Sequence, residues 1–215
     1  MALSKVDFNN INVTPAASKK LKWNSSANGF ETGDVGGSMI LLSTQTASSS
    51  STISFTSGID STYDEYVFKF YDIHPATDGA YLTFQSDTGT NTSYNQTVTS
   101  TFIYSQHDEA DSDTTLAYAT SRDQANATAF QPISLSIDAD GNDSSFSGQL
   151  QIFVPSSSTF TKQWMSIGNE VGNGYYNYHT HAGGWFDTTT ALTRFQFKMS
   201  SGNIDSGVIK LYGVS

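Results

Sequence analysis

Arg194-Phe-Gln-Phe-Lys-Met-Ser-Ser-Gly-Asn-Ile-Asp-Ser-Gly-Val-Ile-Lys-Leu-Tyr-Gly-Val-Ser215 is the stretch that decides the fold. Phe195, Phe197 and Met199 alternate with Arg194, Gln196 and Lys198, a period of two that sets apolar side chains on one side of an extended strand and polar ones on the other. Ser201-Gly-Asn203 then supplies a turn. In the run that follows, Ile209 and Leu211 are expected to face a core, with Val208, Lys210 and Tyr212 on the opposite face. A chain ending in a strand is expected to tie its C-terminus into a sheet, with nothing more to follow.

Outward from this stretch the alternation repeats. Ile53 and Phe55 oppose Ser54 and Thr56; Ile133, Leu135 and Ile137 interleave with Ser134 and Ser136; Leu150, Ile152 and Val154 interleave with Gln149 and Gln151. Further strands are predicted at 38–43, 65–73, 80–86, 94–106, 115–119, 160–167, 174–182 and 207–213, for a total of about ten to twelve. Thr77-Asp-Gly79, Asp87-Thr-Gly89, Asp140-Gly-Asn142 and Pro155-Ser-Ser-Ser158 punctuate them as turns. No eleven-residue window shows the three-and-four spacing of a helix. One buried and one wet face per strand is the antiparallel pattern, so the fold class is all-β: an antiparallel β-sandwich, jelly-roll-like.

The chain of 215 residues is long enough for one such domain, and 14 Phe and 11 Tyr can fill its core although only 14% of residues are charged. Residues 1–35 carry little periodicity and end in Gly33-Asp-Val-Gly-Gly37, so they read as an extended N-terminal arm used for attachment, with 36–215 as the sandwich. Leu21, Trp23 and Phe30 are the arm's partner-binding anchors. Cysteine is absent, which fits assembly in a reducing cytoplasm. No apolar run follows the N-terminus or spans a bilayer, so neither a signal peptide nor membrane insertion is expected. The net charge of −10 divides into +3 over residues 1–22 and −13 over the rest, a body that repels nucleic acid.

Four segments in order, Leu41-Leu-Ser-Thr-Gln-Thr-Ala-Ser-Ser-Ser-Ser51, Phe55-Thr-Ser-Gly-Ile-Asp-Ser-Thr-Tyr63, Tyr66-Val-Phe-Lys-Phe-Tyr-Asp-Ile-His-Pro-Ala-Thr-Asp78 and the ending from Gly202, resemble small virion structural proteins of aquatic and marine tailed bacteriophages, tail-fibre-like or decorating the head. The resemblance spans residues 36–215. It implies a β-sandwich located in the virion, made and assembled in the host cytoplasm. The implied partners are other virion proteins, held through the arm, and further copies of the chain in a homo-oligomer, a trimer being favoured. The alternative is a carbohydrate-binding module that recognises a host-surface glycan.

The sequence offers few constellations for chemistry. No Gly-x-Ser-x-Gly, cysteine nucleophile or phosphate-cradling loop occurs, and the chain is not expected to be an enzyme. Tyr175, Tyr176, Tyr178 and Trp185 cluster in sequence and are the candidate receptor- or sugar-binding residues. His179 and His181, at i and i+2 of a strand, would share a face. Trimeric phage fibres hold a metal with His-x-His pairs on their axis, which is what the resemblance implies; the pair alone is an incomplete ligand set, and no metal or other cofactor is expected. Asp138-Ala-Asp-Gly-Asn-Asp143 could present oxygens to calcium but reads better as a solvated hairpin turn between the strands around Leu135 and Leu150, and His107-Asp-Glu-Ala-Asp-Ser-Asp113 as a solvated loop.

Overall fold

Alternating sequence gives alternating burial: Phe195, Phe197 and Met199 are buried while Arg194, Gln196 and Lys198 are half-exposed. The computed structural model describes residues 19–34, 39–89, 92–140 and 143–214, and it is all-β, with antiparallel pairing in every sheet. The chain divides between Ser38 and Met39 into an N-terminal unit and a body. Of the expected extended arm, residues 1–18 and 35 lie outside the described residues. Residues 19–34 are not extended; they form a hairpin of β1 (Lys19–Trp23) and β2 (Phe30–Asp34). Its turn is held by Asn24, whose backbone N–H donates to the Gly29 carbonyl at 2.9 Å and whose side-chain oxygen accepts the Asn28 N–H at 3.2 Å.

The body holds β3 (Ile40–Ser50), β4 (Ile53–Phe55), β5 (Glu65–Pro75), β6 (Leu82–Asp87), β7 (Val98–Asp108), β8 (Thr114–Tyr118), β9 (Gln131–Pro132), β10 (Phe146–Phe153), β11 (Lys162–Gly172), β12 (Tyr176–Phe186), β13 (Arg194–Met199) and β14 (Ile204–Val214). One sheet runs β3-β14-β5-β10-β11-β12-β7-β8 and the other β4-β13-β6-β9. Taking β7, β8, β11 and β12 out leaves β3-β14-β5-β10 against β4-β13-β6-β9, eight strands in the double Greek-key order of a jelly roll. The omitted strands are two hairpins, one inserted between β6 and β9 and the other between β10 and β13. Both add to the β10 edge and double the width of that sheet.

The sheets meet through aromatic rings. Phe197 of the small sheet packs on Phe68 and Phe70 of the large one at 5.0 and 5.3 Å between centroids, and Phe84 packs on Trp164 at 5.0 Å, in edge-to-face geometry. Ile209 and Leu211 are fully buried as expected, with Val208, Lys210 and Tyr212 on the other face. Gly207, with φ of 119°, sits where any Cβ would meet the Asp72 carbonyl oxygen at 2.6 Å, so β14 can follow the bulge of β5 only with glycine there.

Three local expectations are corrected. Val154 has positive φ and is exposed, because β10 ends at Phe153. The alternation of Ile133 to Ile137 does bury Ile133 and Ile137, but only Gln131–Pro132 is regular strand. Ile133 and Ile137 donate N–H groups to the carbonyls of Leu82 and Ala80, while the amides of Leu135 and Ser136 turn away to a side chain. The segment from Asp138 to Asp143 accordingly crosses from the small sheet to the large one and is not a hairpin turn; residues 141 and 142 lie outside the described residues.

Candidate functional site

In the N-terminal hairpin, Trp23 pairs directly with Phe30, and their rings stack at 4.4 Å. Leu21 lies two residues before Trp23, hence on the same face. All three expected anchors are exposed, Trp23 at 61%. The opposite face carries the Lys22–Glu31 ion pair at 3.2 Å, an exposed contact that adds little stability. The hairpin thus presents its stacked aromatic pair to solvent.

The four expected sugar-binding aromatics are not assembled into one platform. Tyr175 sits in the β11–β12 turn with φ of 61°. Tyr176 and Tyr178 stack in parallel at 5.6 Å on the inward face of β12, where Gly172 leaves room for the Tyr178 ring. Trp185 faces outward near the other end of β12, roughly 23 Å from Tyr178 at ~3.3 Å per residue. His179 and His181 do converge, Nε2 to Nε2 at 2.9 Å, on the outward face. Their cross-strand neighbours are Ser105 and Asn169 for His179, and Ile103 and Ile167 for His181, none of which is a strong metal ligand.

Asp138 and Asp140 are joined by Asp78 from the β5–β6 loop, with ligand oxygens of all three within 4.8 Å. In the sequence Asp78 stands only within a turn, since nothing local links it to residues 60 positions away. Backbone groups already use these carboxylates: Asp138 accepts the Asp140 N–H at 2.8 Å and Asp78 the Ala139 N–H at 3.2 Å. In the 107–113 loop, the Ser112 hydroxyl and the N–H groups of Asp113 and Ser112 bond to Asp108 and hold its pKa down at about 2. These acids build turns.

A polar interior went unseen in the sequence. Glu170 points inward from β11, and its Oε1 accepts the N–H groups of Leu135 at 2.8 Å and Ser136 at 2.7 Å, the two amides that leave the β6 edge. Burial pushes its pKa up to about 7 despite those bonds and the field of Arg122. Arg122 donates to the Leu135 carbonyl at 2.9 Å and lies over the Tyr81 ring at 3.9 Å. Ser100, Gln124 and Gln131 continue the network: the Ser100 hydroxyl donates to Gln131 at 2.6 Å and accepts the Gln124 N–H at 2.9 Å. Lys162, fully buried on the same strand as Glu170, donates to the carbonyls of Phe160 and Thr188, and burial lowers its pKa. These groups fasten the loops to the inner side of the added strands.

The outer side of those strands is the reverse. β11 alternates strictly, with Lys162, Trp164, Ser166, Gly168, Glu170 and Gly172 inward and Gln163, Met165, Ile167, Asn169 and Val171 outward. Met165, Ile167, Ile103 and Trp185 form an exposed apolar area flanking a depression of about 370 Å³ at Gly183. Comparison with family models, curated proteins and solved structures returns no match for this chain. The surface itself offers apolar and amide groups.

Proposed function

We propose that this protein is a structural protein of a bacteriophage virion, a jelly-roll module of the tail, a fibre or the head surface that acts by contact and is joined to the particle through its N-terminal segment. The observation that carries the attachment is the solvent-facing stack of Trp23 and Phe30 beside Leu21, on a hairpin that forms its own unit before the body. Aromatic side chains of this kind are the usual anchors of protein interfaces. The virion setting rests on the four-segment resemblance between residues 36 and 215. The excess of basic residues within 1–22 over an acidic remainder suits ordered attachment to a neighbour.

Glycan recognition by Tyr175, Tyr176, Tyr178 and Trp185 remains the rival from another class, and the separation of Trp185 from the inward-facing Tyr176 and Tyr178 weighs against it. The test is incorporation. In density-purified particles the full chain should be present at stoichiometric level, while a chain lacking residues 1–34 should keep its β-sheet circular dichroism and be absent. Normal incorporation of the truncated chain would overturn attachment through the hairpin, and absence of the full chain from particles would overturn the virion setting.

A further inference from the structure

Outward-facing residues on β10, β11, β12, β7 and β8, five consecutive strands of the large sheet, include no Asp, Glu, Lys or Arg. The chain has 20 acidic and 10 basic residues, and outer faces are where charges belong. Charge resumes at Glu65 and Lys69 on β5 and at Lys210 on β14, the strands on the far side of β10. In place of charge the face shows Leu116, at 80% exposed, then Ile103, Met165, Ile167, Val171 and Trp185. Charge depletion together with Met, Trp and aliphatic residues is the composition of an interface centre.

The geometry points to a second copy of this chain as the occupant: we propose that two copies pack these five-strand faces against each other about a two-fold axis. Charge argues for it. Each copy carries −10, so two copies repel wherever their carboxylates meet, and these five strands contribute no outward carboxylate of their own, Glu65, Asp111 and Asp123 touching only the margins of the strip at Gln151, His107 and Tyr118. Area agrees as well, because five strands ~4.8 Å apart and up to ~33 Å long present roughly 700 Å² per copy, so that about 1,400 Å² is buried in total, within the range of stable specific interfaces. The relief is self-complementary. The depression at Gly183, where no side chain rises between Thr101 and Met165, lies beside the protruding Met165, so a two-fold axis between them can seat each copy's methionine in the other's hollow.

The inward face of the same strands strengthens the case. β11 places Ser166 and Glu170 inside while Met165 and Ile167 stay outside, an arrangement a solitary domain has no reason to keep. The four strands β7, β8, β11 and β12 are also additions to a jelly roll that is complete without them. This inference is independent of the virion setting and of the N-terminal hairpin.

The test is sedimentation of the full-length protein over a wide concentration range. Wild type should reach twice 23.3 kDa, and Ile167→Glu, which sets a carboxylate at the centre of the face without touching the core, should remain at 23.3 kDa with self-association weakened about a hundredfold or more. Ile103→Glu, on β7 and separated from Ile167 only by β12, should act alike and decides the matter if Ile167→Glu fails to fold. Thr44→Glu, on the charged side of the same sheet, should stay dimeric. A wild type that is monomeric at every concentration, an oligomer unaffected by both Glu variants, or a monomer whose face instead captures a glycan on an array would overturn the proposal.

Discussion

In β14, Ile209 and Leu211 point into the sandwich and Lys210 meets water; three strands along the same sheet, in β11, Lys162, Ser166 and Glu170 point in and Met165, Ile167 and Val171 meet water. Both strands alternate with the same period, so the pattern alone does not say which face is buried. What sets β11 is a handful of size constraints. Trp164 fills the space beside Phe84, while Gly168 and Gly172 leave room for the rings of Phe146 and Tyr178, where a Cβ would come within about 2 Å of ring carbon. A one-residue slip would expel Trp164 and drive side chains into both rings. The jelly-roll half of the sheet buries apolar groups against its partner sheet, whereas the added half, beside the buried Val98, Phe102, Trp164 and Phe186, also buries a polar network and leaves Ile103, Met165, Ile167 and Val171 outside.

The largest effect that could break this comparison is expected in the jelly-roll half. Phe197 touches the rings of Phe55, Phe68, Phe70 and Phe84, so Phe197→Ala should cost about 3–5 kcal/mol in urea denaturation. A loss below 1 kcal/mol would mean that the two sheets do not meet there.

Next in size is the polar interior of the added half. The Glu170 carboxyl has a folded pKa of about 7 against an ordinary 4.5. Below the lower value both states hold the proton and the group is neutral to stability; as pH rises toward 7 the unfolded chain ionises first, so folding loses free energy, and above 7 the loss is constant. Glu170→Gln keeps an acceptor for Leu135 and Ser136 without the charge. Its melting temperature should therefore pull ahead of wild type between pH 5 and 8, a gap on the order of 3 kcal/mol at the upper end. A gap that does not change with pH would show that Glu170 is already exposed or already ionised without penalty.

Much of the jelly-roll half was legible in the sequence, and less of the added half. The inward placement of Ile209, Leu211, Phe195 and Phe197 follows from local alternation, as does the shared face of His179 and His181. Strand order does not, since periodicity says nothing about which strands pair, and so the two hairpins could not be recognised as additions to an eight-strand roll. Glu170 reaches the amides of Leu135 and Ser136, and Asp78 reaches Asp138 and Asp140, across chain separations that carry no sequence signal. The aromatic run at Tyr175 to Trp185 read as one cluster because neighbours in sequence were taken as neighbours in space. A strand scatters them, sending Tyr176 and Tyr178 to one face and Trp185 to the other.

The smallest effect is expected on the outer face. In the Ile167→Glu background, where self-association does not contribute, Met165→Ala should change unfolding stability by no more than about 0.5 kcal/mol, the range for an exposed site. A cost of several kcal/mol would place Met165 in the core and invert the comparison.

The central claim, that β11 turns its apolar side outward for another copy to cover, is tested most directly by the oxidation rates of Met165 and Met199, followed by peptide mass spectrometry in dilute peroxide. Met199 is buried in the sandwich and serves as the internal reference. Met165 should oxidise much faster than Met199 in Ile167→Glu and should be protected in wild type at concentrations where two copies associate. Oxidation of Met165 as slow as Met199 in the variant would contradict its outward placement, and equal oxidation of Met165 in wild type and variant would contradict its cover.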